Sequence, residues 1–274
     1  MSMDISIEFF HKVCPAAVEP SGKIFRAVAG FFEETSRRWL SMVGPELMDD
    51  IMSLEEYGEV ADLMRRFVCL HSLYRAVPQL DLVLTPTGFG VVSSDSMAPA
   101  SAERVRALRD SLALEAGMAF DATLEALSRI ERWSTSETAQ RMVWTMFPGC
   151  RDIADISGKP VNIALRGEWM PEINGAERAL ACRLSPELMQ RLRDGVRCGD
   201  LSDAEAELRG MIKGFVRAWV RHDGSADRMD YRILEFVESR IGEFPAYAGS
   251  QTFRANHFER YENKKDDSCF FFGR

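Results

Sequence analysis

Four histidines, six cysteines and adjacent carboxylates such as Glu33-Glu34 and Asp49-Asp50 are the residues here most suited to catalysis or metal binding, and their spacing supports neither. A helical zinc site needs two imidazoles one turn apart, as in H-E-x-x-H, so that both reach one ion. The histidines are His11, His71, His222 and His257. His71 stands in an amphipathic stretch with no histidine four residues on, and reads as a capped or surface side chain. His222, followed by Asp223 and Gly224, falls where a helix should end, and an imidazolium there would meet the negative end of the helix dipole. Cys14, Cys69, Cys150, Cys182, Cys198 and Cys269 form no C-x-x-C pair. Several lie in apolar helical stretches, the usage of reduced, partly buried thiols rather than of a disulfide framework. No G-x-S-x-G elbow is present to activate a serine. Neither a G-x-x-x-x-G-K-[ST] loop nor a G-x-G-x-x-G fingerprint is present to cradle phosphate. In Ser157-Gly158-Lys159-Pro160 the proline removes an amide that such a cradle needs, so the segment reads as a turn. Glu33-Glu34 and Asp49-Asp50 are helix neighbours that point in different directions, and neither makes a catalytic dyad. The expectation is a protein with no catalytic residue, no metal ligand and no cofactor, and not an enzyme.

Charge excludes a further class. The chain carries 42 acidic against 34 basic residues, a net charge of −8. Tight nucleic-acid binders carry a basic surplus that displaces phosphate counterions, so no specific nucleic-acid partner is expected. Arg37, Arg38, Arg65 and Arg66 read as solvated helix faces. The first ten residues contain Asp4 and Glu8 and no long apolar core, unlike a signal peptide. No window approaches the roughly 20 apolar residues that span a bilayer. A cytoplasmic protein without a membrane partner is expected. With 46% hydrophobic residues in 274, a sizeable core is within reach.

The elements that would position any site are mostly helices. Ile5 to Phe9 alternates apolar and polar and predicts a short strand. From Ser21 a helix carries Ile24, Val28, Phe31 and Phe32 toward Trp39 and Leu40, and Gly44-Pro45 breaks it. Ser53 and Glu56 have the spacing of a capping box. The helix that follows carries Val60, Leu63, Phe67, Leu70 and Tyr74 and should end near Pro78. Residues 80–92, folded about Thr85-Pro86-Thr87-Gly88, read as a β-hairpin. A long helix over 101–130 shows Val105, Leu108, Leu112, Phe120, Leu124 and Leu127 on its stripe. Ser134 and Glu137 suggest a second capping box. Residues 148–171 are rich in Gly and Pro and predict an irregular crossover. Helices resume with Ile173, Ala176 and Leu180, with Ser185-Pro186 as a capped start, and with Ser202 and Glu205 as another capping box. The last carries Met229, Ile233, Phe236 and Val237 and stops near Gly242. The fourteen methionines fall mostly on these stripes, as core fillers.

The reading is a mainly α multi-helix bundle. It comprises an N-terminal helical half (1–147) with a hairpin arm (80–92), the crossover (148–171), a C-terminal helical half (172–243) and an extended tail (244–274). Gly44-Pro45-Glu46-Leu47-Met48 recurs as Ser185-Pro186-Glu187-Leu188-Met189, each between an apolar helix and a long amphipathic one. A duplicated module and a common helix start explain that recurrence equally well. Two segments look exposed. Phe89 lies at the hairpin tip, and the chain closes on Phe270, Phe271 and Phe272 after a polar stretch. Contiguous exposed aromatics invite association, and burying each ring is worth roughly 2 kcal/mol. These four residues are the expected protein-interaction sites. The tail either returns to the body or anchors into a partner by strand addition or pocket filling.

The run from Leu80 through Val92-Ser93 to Ala98-Pro99-Ala100-Ser101-Ala102-Glu103-Arg104-Val105 resembles a family of uncharacterised proteins encoded in prophages of gut bacteria. The closing Tyr261-Glu262-Asn263 and Phe270-Phe271-Phe272-Gly273 are similar to the end of the same family. Members look like the head–tail connector (adaptor) proteins of tailed phages, helical proteins that form a ring under the portal. The resemblance implies a virion component that docks to copies of itself, as a ring or other homo-oligomer, and to portal- or tail-like proteins. This chain departs from such adaptors by its length and its second helical half. Its rivals are a cytosolic helical adaptor or assembly factor not retained in the particle, and a helical enzyme without a recognisable motif.

Overall fold

A computed structural model describes residues 3–18, 21–80, 82–85, 88–91, 101–142 and 145–257. The architecture is a multi-helix bundle. Its longest elements, α5 (Gly58–Leu80) and α6 (Ala102–Ser128), make the most extensive helix–helix contact. Between them in sequence, β1 (Leu82–Thr85) pairs antiparallel with β2 (Gly88–Val91), Leu82 opposite Val91 and Leu84 opposite Phe89.

Local sequence explains most helix starts. Ser101 accepts the Arg104 amide at 3.3 Å to open α6. Ser185 accepts the Leu188 amide at 3.0 Å and Pro186 takes the first position of α11 (Pro186–Cys198), which ends on left-handed Gly199. In α12 (Asp203–Val220) the reciprocal box forms: Ser202 accepts the Glu205 amide, and Glu205 accepts the Ser202 amide at 2.9 Å.

Other expectations are corrected. Ile5 to Phe9 is not a strand: Ser6 caps α1 (Ile7–Val13), and Phe10 is buried. The helix from Ser21 is two helices, α2 (Lys23–Ala29) and α3 (Phe32–Val43), parted at Gly30 and Phe31. Ser53 closes a helix rather than opening one. It is the last residue of α4 (Pro45–Ser53), and its hydroxyl bonds back to the Asp49 carbonyl at 2.7 Å. Ser134 likewise turns back, to Glu131, while Ser136 accepts the Ala139 amide at the start of α8 (Glu137–Met142). The irregular crossover is largely helical, forming α9 (Cys150–Ser157) and the first half of α10 (Ile163–Ala181). Pro171 lies inside α10. It removes one backbone bond, while the Asn162 cap at 2.8 Å and the burial of Ile163, Met170 and Ile173 hold the rest. The tail is not extended over its first part. A 3₁₀ turn (Ile241–Glu243), α14 (Pro245–Ala248) and α15 (Gln251–Asn256) follow, and Phe244 and Tyr247 are fully buried. Residues 258–274 lie outside the described residues.

Two buried clusters form the core. The first centres on Trp39, whose ring lies 5.2 Å from Phe67 and 5.3 Å from Phe120. Nearby, Trp133 donates to the Met42 carbonyl at 2.9 Å. The second gathers Ile173, Leu188, Leu192, Leu208, Ile212 and Tyr247. The chain alternates between them: Met146 and Phe147 belong to the second, Cys150 and Ile163 to the first. Val196 packs against both. The two proline-started helices each bury their Leu-Met pair, Leu47 and Met48 in one, Leu188 and Met189 in the other. Among the described residues, no helix is long and apolar enough to cross a membrane.

Candidate functional site

The strongest concentration of buried polar groups lies where the two clusters meet, on residues 145–152. Glu177 of α10 is fully buried. One of its oxygens accepts the Thr145 hydroxyl at 2.6 Å and the Met146 amide at 2.8 Å, and the other accepts Arg193 Nε at 3.2 Å. Asp121 of α6 accepts the amides of Cys150 at 2.6 Å and Arg151 at 2.9 Å, capping α9 from a distant helix. Arg166 donates to the Pro148 carbonyl at 3.1 Å and lies over the Phe120 ring. Arg209 donates to the Met146 carbonyl at 3.0 Å and pairs with Asp152 at 2.7 Å, beside Lys213. Burial pushes the Glu177 carboxyl above its ordinary range, against the pull of Thr145, Met146 and Arg193. It raises Asp121 too, and lowers the Arg166 guanidinium. Each group is spent on satisfying backbone that would otherwise be orphaned. None of them lines the grooves described below.

Histidine and thiol chemistry is also suppressed at the buried positions His71, Cys14, Cys69 and Cys150. His71 is a correction: it is neither capped nor on the surface, but only 5% exposed. Its ring stacks on Phe67 at 5.3 Å and lies 6.1 Å from Tyr74. Burial, then Arg38 and Arg75, lowers its pKa to about 4. Burial raises the Cys14 thiol to about 12 and pushes Cys69 and Cys150 up as well, so none is a ready nucleophile. His222 takes a left-handed φ of 52° just past α12, and the Asp223 amide returns to the Ala218 carbonyl at 2.8 Å. The carboxylate pairs separate: Glu33 meets Arg37, Glu34 meets Arg75, and Asp50 meets Arg132. Among the described residues, no three or more His, Cys, Asp or Glu side chains cluster to hold a metal ion.

One of the open grooves is apolar. Where α5 ends and α6 begins, Ile24, Leu73, Val77, Leu80, Val105 and Leu108 line a groove of about 230 Å³. Other grooves mix in charge, such as Arg228 and Arg232 beside Tyr231, or Lys12, Glu59, Asp62 and Arg66 beside Phe9. Among the described residues the ribbon joining α5 to α6 has two strands, and no further strand pairs with either outer edge. Its register places Leu82, Leu84, Phe89 and Val91 at positions on one face, and Val83, Thr85, Gly88 and Gly90 on the other. Of the expected interaction residues, Phe89 thus holds a register position opposite Leu84. Phe270, Phe271 and Phe272 lie outside the described residues.

The buried pins were missed from sequence, although one signal existed. Glu177 falls four residues after Ile173 and three before Leu180, a charge set into an apolar helical stripe. Asp121 and Arg209 gave no such sign, because their partners lie 29 and 63 residues away.

A model for a family of unknown function (DUF6712) matches residues 40–142, less than half of the chain. The match includes α4, α5, the ribbon and α6. No curated protein matches the chain, and no solved structure matches it.

Proposed function

We propose that this protein is a structural component of a phage or prophage particle, of the head–tail connector (adaptor) type. It docks to neighbouring subunits and to a portal- or tail-like partner. The observation that carries this reading is the ribbon between α5 and α6, which has no third strand among the described residues and whose register gathers apolar positions on one face, beside a groove lined by apolar side chains. Surfaces of that chemistry bind polypeptide rather than small polar metabolites. The commitment of the interior's ionisable groups to backbone supports it from the other side. The resemblance of Leu80 to Val105 and of the closing phenylalanines to prophage proteins supplies the assignment to a particle. On this reading Phe89 and Phe270 to Phe272 engage partner polypeptide, and the protein is not an enzyme.

The test is to purify particles from an induced prophage carrying the intact chain or one lacking Cys269 to Arg274. The intact protein should be retained in particles and co-purify with a portal-like protein, and the truncated one should fold but be lost from particles. An intact protein that binds particle precursors yet is absent from finished particles would overturn the structural role in favour of an assembly factor.

A further inference from the structure

We propose that the segment Lys264-Lys265-Asp266-Asp267, outside the described residues, docks antiparallel along the outer face of α13 (Ala226–Ser239) of its own chain, with the acidic pair on Arg228 and Arg232. This goes beyond the preceding reading and does not rest on it. α13 buries Ala226, Ile233 and Val237 in the second cluster. Its other side carries Arg228, Arg232 and Glu235, all exposed and spaced four and three residues apart. Together with Ser225, Met229 and Tyr231, the two arginines line a groove of about 470 Å³. Neither guanidinium makes an ion pair or a hydrogen bond among the described residues. Arg183, Arg191, Arg193, Arg209 and Arg240 in the same half of the chain are each paired with a carboxylate.

The position of the last described residue decides the occupant. His257 stacks on Phe253 at 4.2 Å and meets Glu238 of α13 at 3.6 Å. Tyr247 donates to the same Glu238 oxygen at 3.3 Å, so the end of α15 is held against α13. Arg232 and Arg228 stand six and ten residues before Glu238, about 9 and 15 Å away along the helix axis. Asp266 follows His257 by nine residues, a reach of up to about 30 Å, which covers that span. Residues 258–274 contain one adjacent pair of acids, Asp266-Asp267, and it comes directly after Lys264-Lys265. A chain leaving from the Glu238 end passes α13 in the order Glu238, Glu235, Arg232, Arg228. It brings two lysines and then two aspartates, so cations meet anions and then anions meet cations. The reverse direction sets like charge against like. Exposed ion pairs are worth about 1 kcal/mol or less each, too little to hold a free peptide or a free anion. Tethering makes up the difference, because a segment linked at this distance is present at an effective concentration on the order of millimolar. The contact uses none of Phe270 to Phe272.

The experiment is oxidative crosslinking of the full chain with Cys182 and Cys198 changed to Ser, which leaves Cys269 as the one native thiol besides the buried Cys14, Cys69 and Cys150. Gly224 adjoins the N-terminal end of α13 and has open space around an added Cβ. Cys269 falls beside it when Asp267 meets Arg228, so Gly224→Cys should close a disulfide within the monomer. Ser239→Cys, at the other end of α13 and about 22 Å away, should close far more slowly. Arg228→Glu with Arg232→Glu should slow closure at Gly224→Cys at least about fivefold, or 1 kcal/mol. Adding Asp266→Arg with Asp267→Arg should restore it, which a merely misfolded variant would not allow. Closure at Ser239→Cys as fast as at Gly224→Cys, or closure indifferent to the charge reversal, would overturn the proposal. Disulfide-linked dimers in place of closed monomers would overturn it too, by putting the segment on a second copy. Particle retention does not enter this assay, so its failure is separable from failure of the connector reading.

Discussion

His71 makes the fold acid-sensitive in a way that one substitution should remove. Its folded pKa lies near 4 against an ordinary value of 6.5, because burial between Phe67 and Tyr74 disfavours the charged ring. A group depressed on folding contributes stability above its unfolded pKa and loses it as pH falls toward its folded one. Linkage over that interval amounts to a loss of about 2 kcal/mol by pH 5 and about 3 kcal/mol by pH 4, relative to pH 7. His71→Phe keeps a flat ring in the stack and discards Nδ1, which has no hydrogen-bond partner among the described residues. At pH 7 the variant should lie within about 1.5 kcal/mol of wild type, as for a shape-conserving core exchange. Urea unfolding of both proteins at pH 7, 6, 5 and 4 measures the difference directly, and other titrating groups cancel in it. The variant should gain on wild type by about 2 to 3 kcal/mol between pH 7 and the acid end. A difference that stays flat across that range would refute the buried, neutral imidazole.

Three further substitutions test the pins and the turns. Glu177→Ala strands Arg193, the Thr145 hydroxyl and the Met146 amide in the interior. It should cost about 3–5 kcal/mol in urea unfolding, as for one partner lost from a buried pair. Glu177→Gln keeps an acceptor for Thr145 and Met146. Because burial raises the carboxyl, Glu177 contributes most below its ordinary pKa and least above its folded one. The deficit of the Gln variant should therefore narrow as pH rises from 4 to 8, which the same titration reads. Gly158→Ala places a methyl at a left-handed φ of 73° and against the Arg221 guanidinium, whose Nε holds the Ile156 carbonyl at 3.2 Å. A loss of about 1–2 kcal/mol is expected, visible as a lower thermal midpoint.

The parts of the fold legible in the sequence are those decided within four residues. Ser202 with Glu205, Ser185 before Pro186, and Ser101 ahead of a long stripe each state a helix start without reference to the rest of the chain. Ser53 and Ser134 carry the same letters at similar spacing, yet their hydroxyls return to the preceding turn. Whether a serine caps forward or bonds backward depends on where the previous helix stops, and a local spacing rule does not contain that. Pro171 misled for a related reason. One missing backbone bond is a small cost beside the burial of Ile163, Met170 and Ile173, and that burial depends on α12 and α9 packing against α10.

The distribution of charge within the fold bears on why the candidate surfaces are apolar. Residues 145–152 pass between two hydrophobic clusters, and backbone there has no regular ladder to satisfy it. A chain in that position needs side-chain donors and acceptors brought from several helices, and Asp121, Arg166, Glu177 and Arg209 supply them. Such groups do not double as catalytic acids, bases or anion receptors, because releasing any one of them exposes an unpaired buried amide or carbonyl. Asp121 in this way ties α6 to the start of α9, and α5 packs along the inner face of α6. The interior polar groups fix the orientation of the helices that meet at this junction.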